Sequence, residues 1–149
     1  MISAVISALH VLALALGLPA VFFRGRALKG PLDAGGLRRV LIADNVWGIA
    51  AGLWLATGLM RAFGGLEKGT GFYVASRLFW LKMALFVTVL ILEILPMMTF
   101  IGWRRRLRLG QAVDTSRART LYTLNHAELA LVVVIVFVAS FMARGFGAR

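Results

Sequence analysis

Residues 77–86 read RLFWLKMALF and open the third of four long apolar stretches in the chain. Lys82 sits about one turn inside a segment that otherwise has the make-up of a membrane span. An ammonium at the centre of a bilayer costs roughly 2.5–3.5 kcal/mol on insertion scales. A lysine placed there either runs its four-carbon stem out to the interface or meets something inside a bundle. This stretch decides the fold, because an apolar span with a polar face must be a helix packed on other helices.

The remainder of the chain agrees. Of its 149 residues 60% are hydrophobic, and the mean hydropathy is +0.86. A soluble domain holds only about half apolar residues. Four stretches have spanning length, Ile2–Phe23, Val40–Met60, Leu78–Phe100 and Tyr122–Met142. Each has the roughly 20 residues that cross about 30 Å of hydrocarbon. The first lacks a basic leading region and its apolar run is too long for a signal peptide, so it is expected to stay as a span. Short links between helices predict an all-α, up-down four-helix transmembrane bundle, a single domain over residues 1–149.

Charge sets the expected orientation. The 17 Lys and Arg outnumber 6 Asp and Glu, but they concentrate in two connections, with no basic patch apart from the spans, which argues against a nucleic-acid partner. The first connection carries Arg24, Arg26, Lys29, Arg38 and Arg39. The third carries Arg104, Arg105, Arg106, Arg108, Arg117 and Arg119. The second has only Arg61, Lys68 and Arg77, with Glu67 among them. The positive-inside rule then predicts both termini outside, in the periplasm of a bacterial inner membrane. Trp103, Tyr73 and Tyr122 fall near span ends, where amphipathic rings prefer to lie. With no cysteine there is no disulfide, thiolate nucleophile or cysteine-held metal.

Depth sorts the polar span residues. At about 1.5 Å per residue, His10, Lys82 and Trp54 fall roughly 6–12 Å below the outer boundary. Asp44, Glu93, Asn125, His126 and Glu128 fall roughly 20–26 Å below it. Helical spacing aligns Ser3, Ser7, His10, Leu14 and Gly17 on the first span. It also aligns Asp44, Trp47, Ala51, Trp54, Gly58 and Arg61 on the second. Lys82, Val89, Glu93 and Pro96 share a stripe of the third, and Asn125, Glu128, Val132, Ile135 and Ala139 one of the fourth. His126 is turned about 100° from that last stripe. Polar groups next to small residues are what an inward face of a membrane bundle carries. Carboxylates too short to snorkel, such as Glu93 and Glu128, need a proton or a cationic partner at that depth. His126 or an arginine at the inner mouth of the bundle would serve. Gly17, Gly48, Gly52 and Gly58 read as packing residues.

The segments ADNVWGIAAGLWLATGLMRAF, FYVASRLFWLKMALF and ILPMMTFIGWRR resemble an uncharacterised bacterial family of four-helix membrane proteins, domain of unknown function 2214. A more distant resemblance, to the HemJ-type protoporphyrinogen oxidases, rests on "ALH" with His10 and "FWLKMAL" with Lys82. That family has a histidine in helix one and a lysine at the start of helix three, and is thought to bind haem b. The chain departs from it at "LNHAEL", where His126 follows Asn125 in place of a glutamate, and at Glu93, where that family has a histidine. The resemblance implies haem b or a porphyrin between the helices, with a redox or electron-transfer role, and an oxidoreductase if the chain is an enzyme.

On physical grounds a haem needs an axial donor, an apolar slot and cations for its propionates. His10 is the expected iron ligand, and Lys82 is a second donor or a propionate partner with Arg77 and Arg61. Trp54, Phe79 and Trp80 would wall the macrocycle. Two other classes stay open. The inner Asp44, Glu93, Asn125, His126 and Glu128 group suits a proton-conducting or transporter-like protein. Small size and short loops suit an assembly subunit of a larger membrane complex. Expected partners are the lipid bilayer and a homo-oligomer or such a complex.

Overall fold

A computed structural model describes residues 1–65 and 70–146. Glu67 and Lys68 of the second connection lie outside the described residues. Four long helices carry the fold: α1 (Ile2–Lys29), α2 (Ala34–Phe63), α4 (Arg77–Arg108) and α5 (Ala118–Ala143), with a short α3 (Thr70–Ala75) between α2 and α4. All four long helices are long and apolar enough to cross a membrane. Only 17% to 39% of each span's most apolar window is buried, so most of every span turns outward and lipid is its solvent. Leu16, Ile49, Ile91 and Phe137 are among the large apolar side chains on that outer surface.

The helices overshoot the expected spans at one end. There α1 runs past Phe23 to Lys29, α2 begins before Val40 at Ala34, and α4 continues past Phe100 to Arg108. Hydropathy marks where lipid contact ends, whereas caps mark where a helix ends. The Asp33 carboxylate accepts the Gly36 N–H at 2.7 Å and starts α2. Gly110, at φ 65°, closes α4. The Gln111 N–H reaches Arg106 O at 2.9 Å and the Gly110 N–H reaches Leu107 O at 3.2 Å, a Schellman closure. Consequently Arg24, Arg26, Arg38, Arg39 and Arg104 to Arg106 stand on helices, where a loop was expected.

Short links make α1–α2 and α4–α5 antiparallel neighbours. In addition α1 packs on α5, while α2 and α4 scarcely meet. The order around the bundle is therefore α2, α1, α5, α4, with a thin seam between α2 and α4. The end where α1 joins α2 and α4 joins α5 is here the loop end; the opposite one is the terminal end.

The interior is layered. Ala62, Tyr73, Phe79 and Met142 form an apolar cluster at the terminal end. Ala13, Ala20, Val21, Trp47, Trp54, Val89, Val132 and Ile135 form the middle cluster. Leu28, Leu37, Val40, Phe100, Trp103 and Leu121 form the one at the loop end. Along every long helix the polar inward residues fall in the two gaps between these clusters. His10, Thr57 and Lys82 occupy the first gap, and Arg24, Asp44, Glu93, Asn125 and Glu128 the second.

Two glycines set helix spacing at opposite extremes. A Cβ on Gly25 would stand 2.6 Å from Asn125 Nδ2 and 3.2 Å from His126 Cε1, so α1 approaches α5 only because that atom is missing. A Cβ on Gly48 would meet nothing within 4 Å. Gly25→Ala is expected to lose about 1–3 kcal/mol of stability through overpacking. Gly48→Ala is expected to hold or gain up to about 1 kcal/mol from helix propensity. Thermal unfolding of the two variants in one detergent checks the contrast.

Candidate functional site

The second gap is built around an arginine. Arg24 is fully buried, and each of its five N–H groups has a partner. Nε donates to Asn125 Oδ1 at 2.7 Å. Nη1 donates to Asp44 Oδ1 at 2.9 Å and Glu93 Oε1 at 2.7 Å. Nη2 donates to Glu93 Oε2 at 2.9 Å and Glu128 Oε2 at 2.5 Å. The partners come from α2, α4 and α5, so one guanidinium on α1 ties all four long helices together. Its planar fork suits the bidentate hold on Glu93. The Phe100 ring centroid lies 5.7 Å from its central carbon.

A surrounding set of bonds fixes the carboxyl groups. Arg104 Nη2 donates to Asp44 Oδ2 at 2.6 Å and to Asn45 Oδ1 at 2.8 Å, bridging α4 to α2. The Trp47 indole N–H donates to Glu93 Oε2 at 3.1 Å. Asn125 Nδ2 donates to Val21 O at 2.9 Å, and this bond turns the Asn125 Oδ1 toward Arg24. His126 stands apart from this group. Its Nδ1 lies 2.9 Å from Tyr122 O of its own helix and its side chain is exposed. One residue of offset from Asn125 rotates it about 100° out of the bundle.

Sequence reasoning assigned Arg24 to topology and missed this role. A signal existed. The aligned first-span residues Ser3, His10 and Gly17 recur every seven positions, and the next member of that series is Arg24.

The first gap holds a small chamber of about 190 Å³. His10, Trp54, Arg61 and Lys82 line it, along with Tyr73 and Phe79. A smaller space of about 40 Å³ adjoins it and shares His10, Trp54 and Lys82. Leu55, Leu59 and Phe63 of α2 face Met83 and Phe86 of α4 around this second space, which lies in the α2–α4 seam. His10 Nδ1 lies 2.9 Å from Thr57 Oγ1. The Thr57 hydroxyl donates to Leu53 O at 2.6 Å, so it accepts from His10, and Nε2 is the ring nitrogen that keeps its lone pair. The Trp54 ring lies 5.8 Å from the imidazole. Gly58 makes room, since a Cβ there would meet His10 Cε1 at 3.3 Å.

Arg77 and Trp80 do not line the chamber. Trp80 is 58% exposed, and its indole donates to Val74 O at 2.9 Å on the outer face. Its neighbour Phe79 takes the inward position, 3% exposed. Thr57, which orients His10, was not singled out from the sequence, because a threonine in a span reads first as a hydroxyl bonded to its own helix. Among the described residues, no group of three or more His, Cys, Asp or Glu is placed to hold a metal ion.

Residues 2–147 match the family model described as a predicted membrane protein, DUF2214. The chain belongs to that family. No curated protein and no solved structure gives a match. For this DUF2214 member the family description as a membrane protein agrees with the four helices long and apolar enough to cross a membrane.

Removing Arg24 leaves three inward carboxyl groups without their common partner. Arg24→Gln is expected to cost about 3–5 kcal/mol, the loss typical of breaking a buried ion pair from one side. Arg24→Lys is expected to restore little of it, because an ammonium cannot supply five donors in a plane. Arg104→Gln, whose partner Asp44 keeps Arg24, is expected to cost clearly less. Thermal unfolding and yield of the detergent-purified variants check this ranking.

Proposed function

We propose that this DUF2214 protein is a bacterial inner-membrane protein, termini outside, that binds haem b or a porphyrin at the chamber for a redox or electron-transfer role. The observation that carries the reading is His10. Thr57 orients its ring through Nδ1, and the ring stands beside Trp54 in the chamber wall. A neutral imidazole held this way is a donor suited to haem iron.

The donor chemistry fits the group. Arg61 and Lys82 line the same chamber and would meet propionates. Trp54, Tyr73 and Phe79 supply aromatic walls. The buried indole N–H of Trp54 has no hydrogen-bond partner among the described residues, so the wall holds a donor that lacks an acceptor. Enclosed small-molecule sites run to about 300–1,000 Å³. The chamber's volume of about 190 Å³ falls below that range. A whole macrocycle therefore needs the α2–α4 seam to widen, and the seam is where the helices grip each other least. When bound, haem would supply one-electron chemistry. The chain's own part is to offer the axial nitrogen, neutralise the propionates and keep water from the ring.

An absorption spectrum of the detergent-purified protein, before and after adding haemin, tests this. A Soret band is expected that is lost in His10→Ala and kept in His126→Ala. Lys82→Ala is expected to weaken haem retention without abolishing the band. A protein that stays colourless and takes up no haem overturns the reading.

A further inference from the structure

The Arg24 cluster does not balance its charges. Two guanidiniums, Arg24 and Arg104, face three carboxyl groups, Asp44, Glu93 and Glu128. Fully ionised, the group would carry one net negative charge between the helices, where an unpaired charge is costly. The excess can be located. Asp44 is shared, one oxygen to each arginine. Both oxygens of Glu93 accept from Arg24, and one accepts from Trp47 as well. Glu128 is completely enclosed, and only one of its oxygens is used by Arg24. Its other oxygen, Oε1, is buried with no hydrogen-bond partner among the described residues.

Glu93 Oε2 and Glu128 Oε2 accept from the same nitrogen, Arg24 Nη2, which holds the two carboxyl groups side by side. Two carboxylates have no hydrogen to place between them, since each is an acceptor only. Two carboxyl groups held this close disfavour a second charge, and a proton on one of them removes the excess. We propose that Glu93 and Glu128 share a single proton, so that the Arg24 cluster is a neutral, proton-binding site inside the bundle. The charged or titratable groups facing the pair are Arg24 from α1, Asp44 from α2 and Arg104 from α4. On α5, Asn125 contributes only an amide, and His126 is bonded to Tyr122 O on the exposed side. Among the described residues, no other cationic side chain pairs with these carboxyl groups. The proposal is independent of what occupies the chamber.

Six Asp and Glu side chains in the whole chain make the proton directly visible. Infrared spectra of the detergent-purified protein at neutral pH are expected to show the C=O stretch of one protonated carboxyl group. Labelling with ¹³C-glutamate is expected to move that band, and labelling with ¹³C-aspartate to leave it in place. Glu128→Gln and Glu93→Gln are each expected to remove it, since one carboxylate then suffices for Arg24. No such band, a band that moves with aspartate, or a band that survives both substitutions overturns the proposal. If neither variant folds, the labelling of the unmodified protein decides by itself.

Discussion

Everything in this bundle depends on one guanidinium being fully satisfied in a place without water. Arg24 has five donors and five bonds, spread over three other helices. In a soluble core such a group would gain little over a well-packed apolar substitute. In a membrane the comparison changes. Lipid is as apolar as leucine, so burying leucine against leucine does little to hold helices together. Directional bonds and close small-residue contacts must do so, and Arg24 with Gly25 supplies both within two residues. Gly25 lets α1 come close to α5 at Asn125, and Asn125 then meets the neighbouring guanidinium.

Much of this was legible in the sequence, and the failures have physical causes. Four spans, their helical state and their inward stripes follow from hydropathy and 3.6-residue periodicity. Buried Val89, Val132 and Ile135 lie on the stripes that spacing defines. Arg24 was hidden by a rule that reads basic residues near span ends as topology markers. That rule concerns net distribution across loops and is silent about one arginine whose helix continues for another turn. Trp80 and Arg77 were attached to Lys82 by nearness in sequence, but on a helix a step of one residue turns a side chain about 100°. His126 left the inner group for the same reason. The packing order α2, α1, α5, α4 was not legible at all. It depends on which faces meet, and every long helix here carries an inward stripe able to meet any other.

Layering explains how two polar sites coexist in so small a bundle. The middle apolar cluster, centred on Trp47, Trp54, Val132 and Ile135, fills the space between His10 and Arg24. A low-polarity filling alone would strengthen the pull between charges, so it is the distance the cluster imposes that keeps the polar groups of one level from disturbing those of the other. With the cluster in place, each level satisfies itself locally. Thr57 serves His10, and three carboxyl groups serve Arg24.

The same layering makes the two ends of the molecule mechanically unlike. At the loop end, Trp47–Glu93 and Arg104–Asp44 bind α2 to α4 across the seam by charged hydrogen bonds. Beside the chamber, the α2 and α4 side chains that face each other are Leu55, Leu59 and Phe63 against Met83 and Phe86. Contacts among such side chains are individually weak and can be exchanged for contacts with lipid at little net cost. Arg24, Arg104 and Trp47 thus hold the loop end in register by directional bonds, while beside His10 the α2–α4 contact rests on apolar and aromatic pairs such as Trp54–Phe86 and Phe63–Phe79.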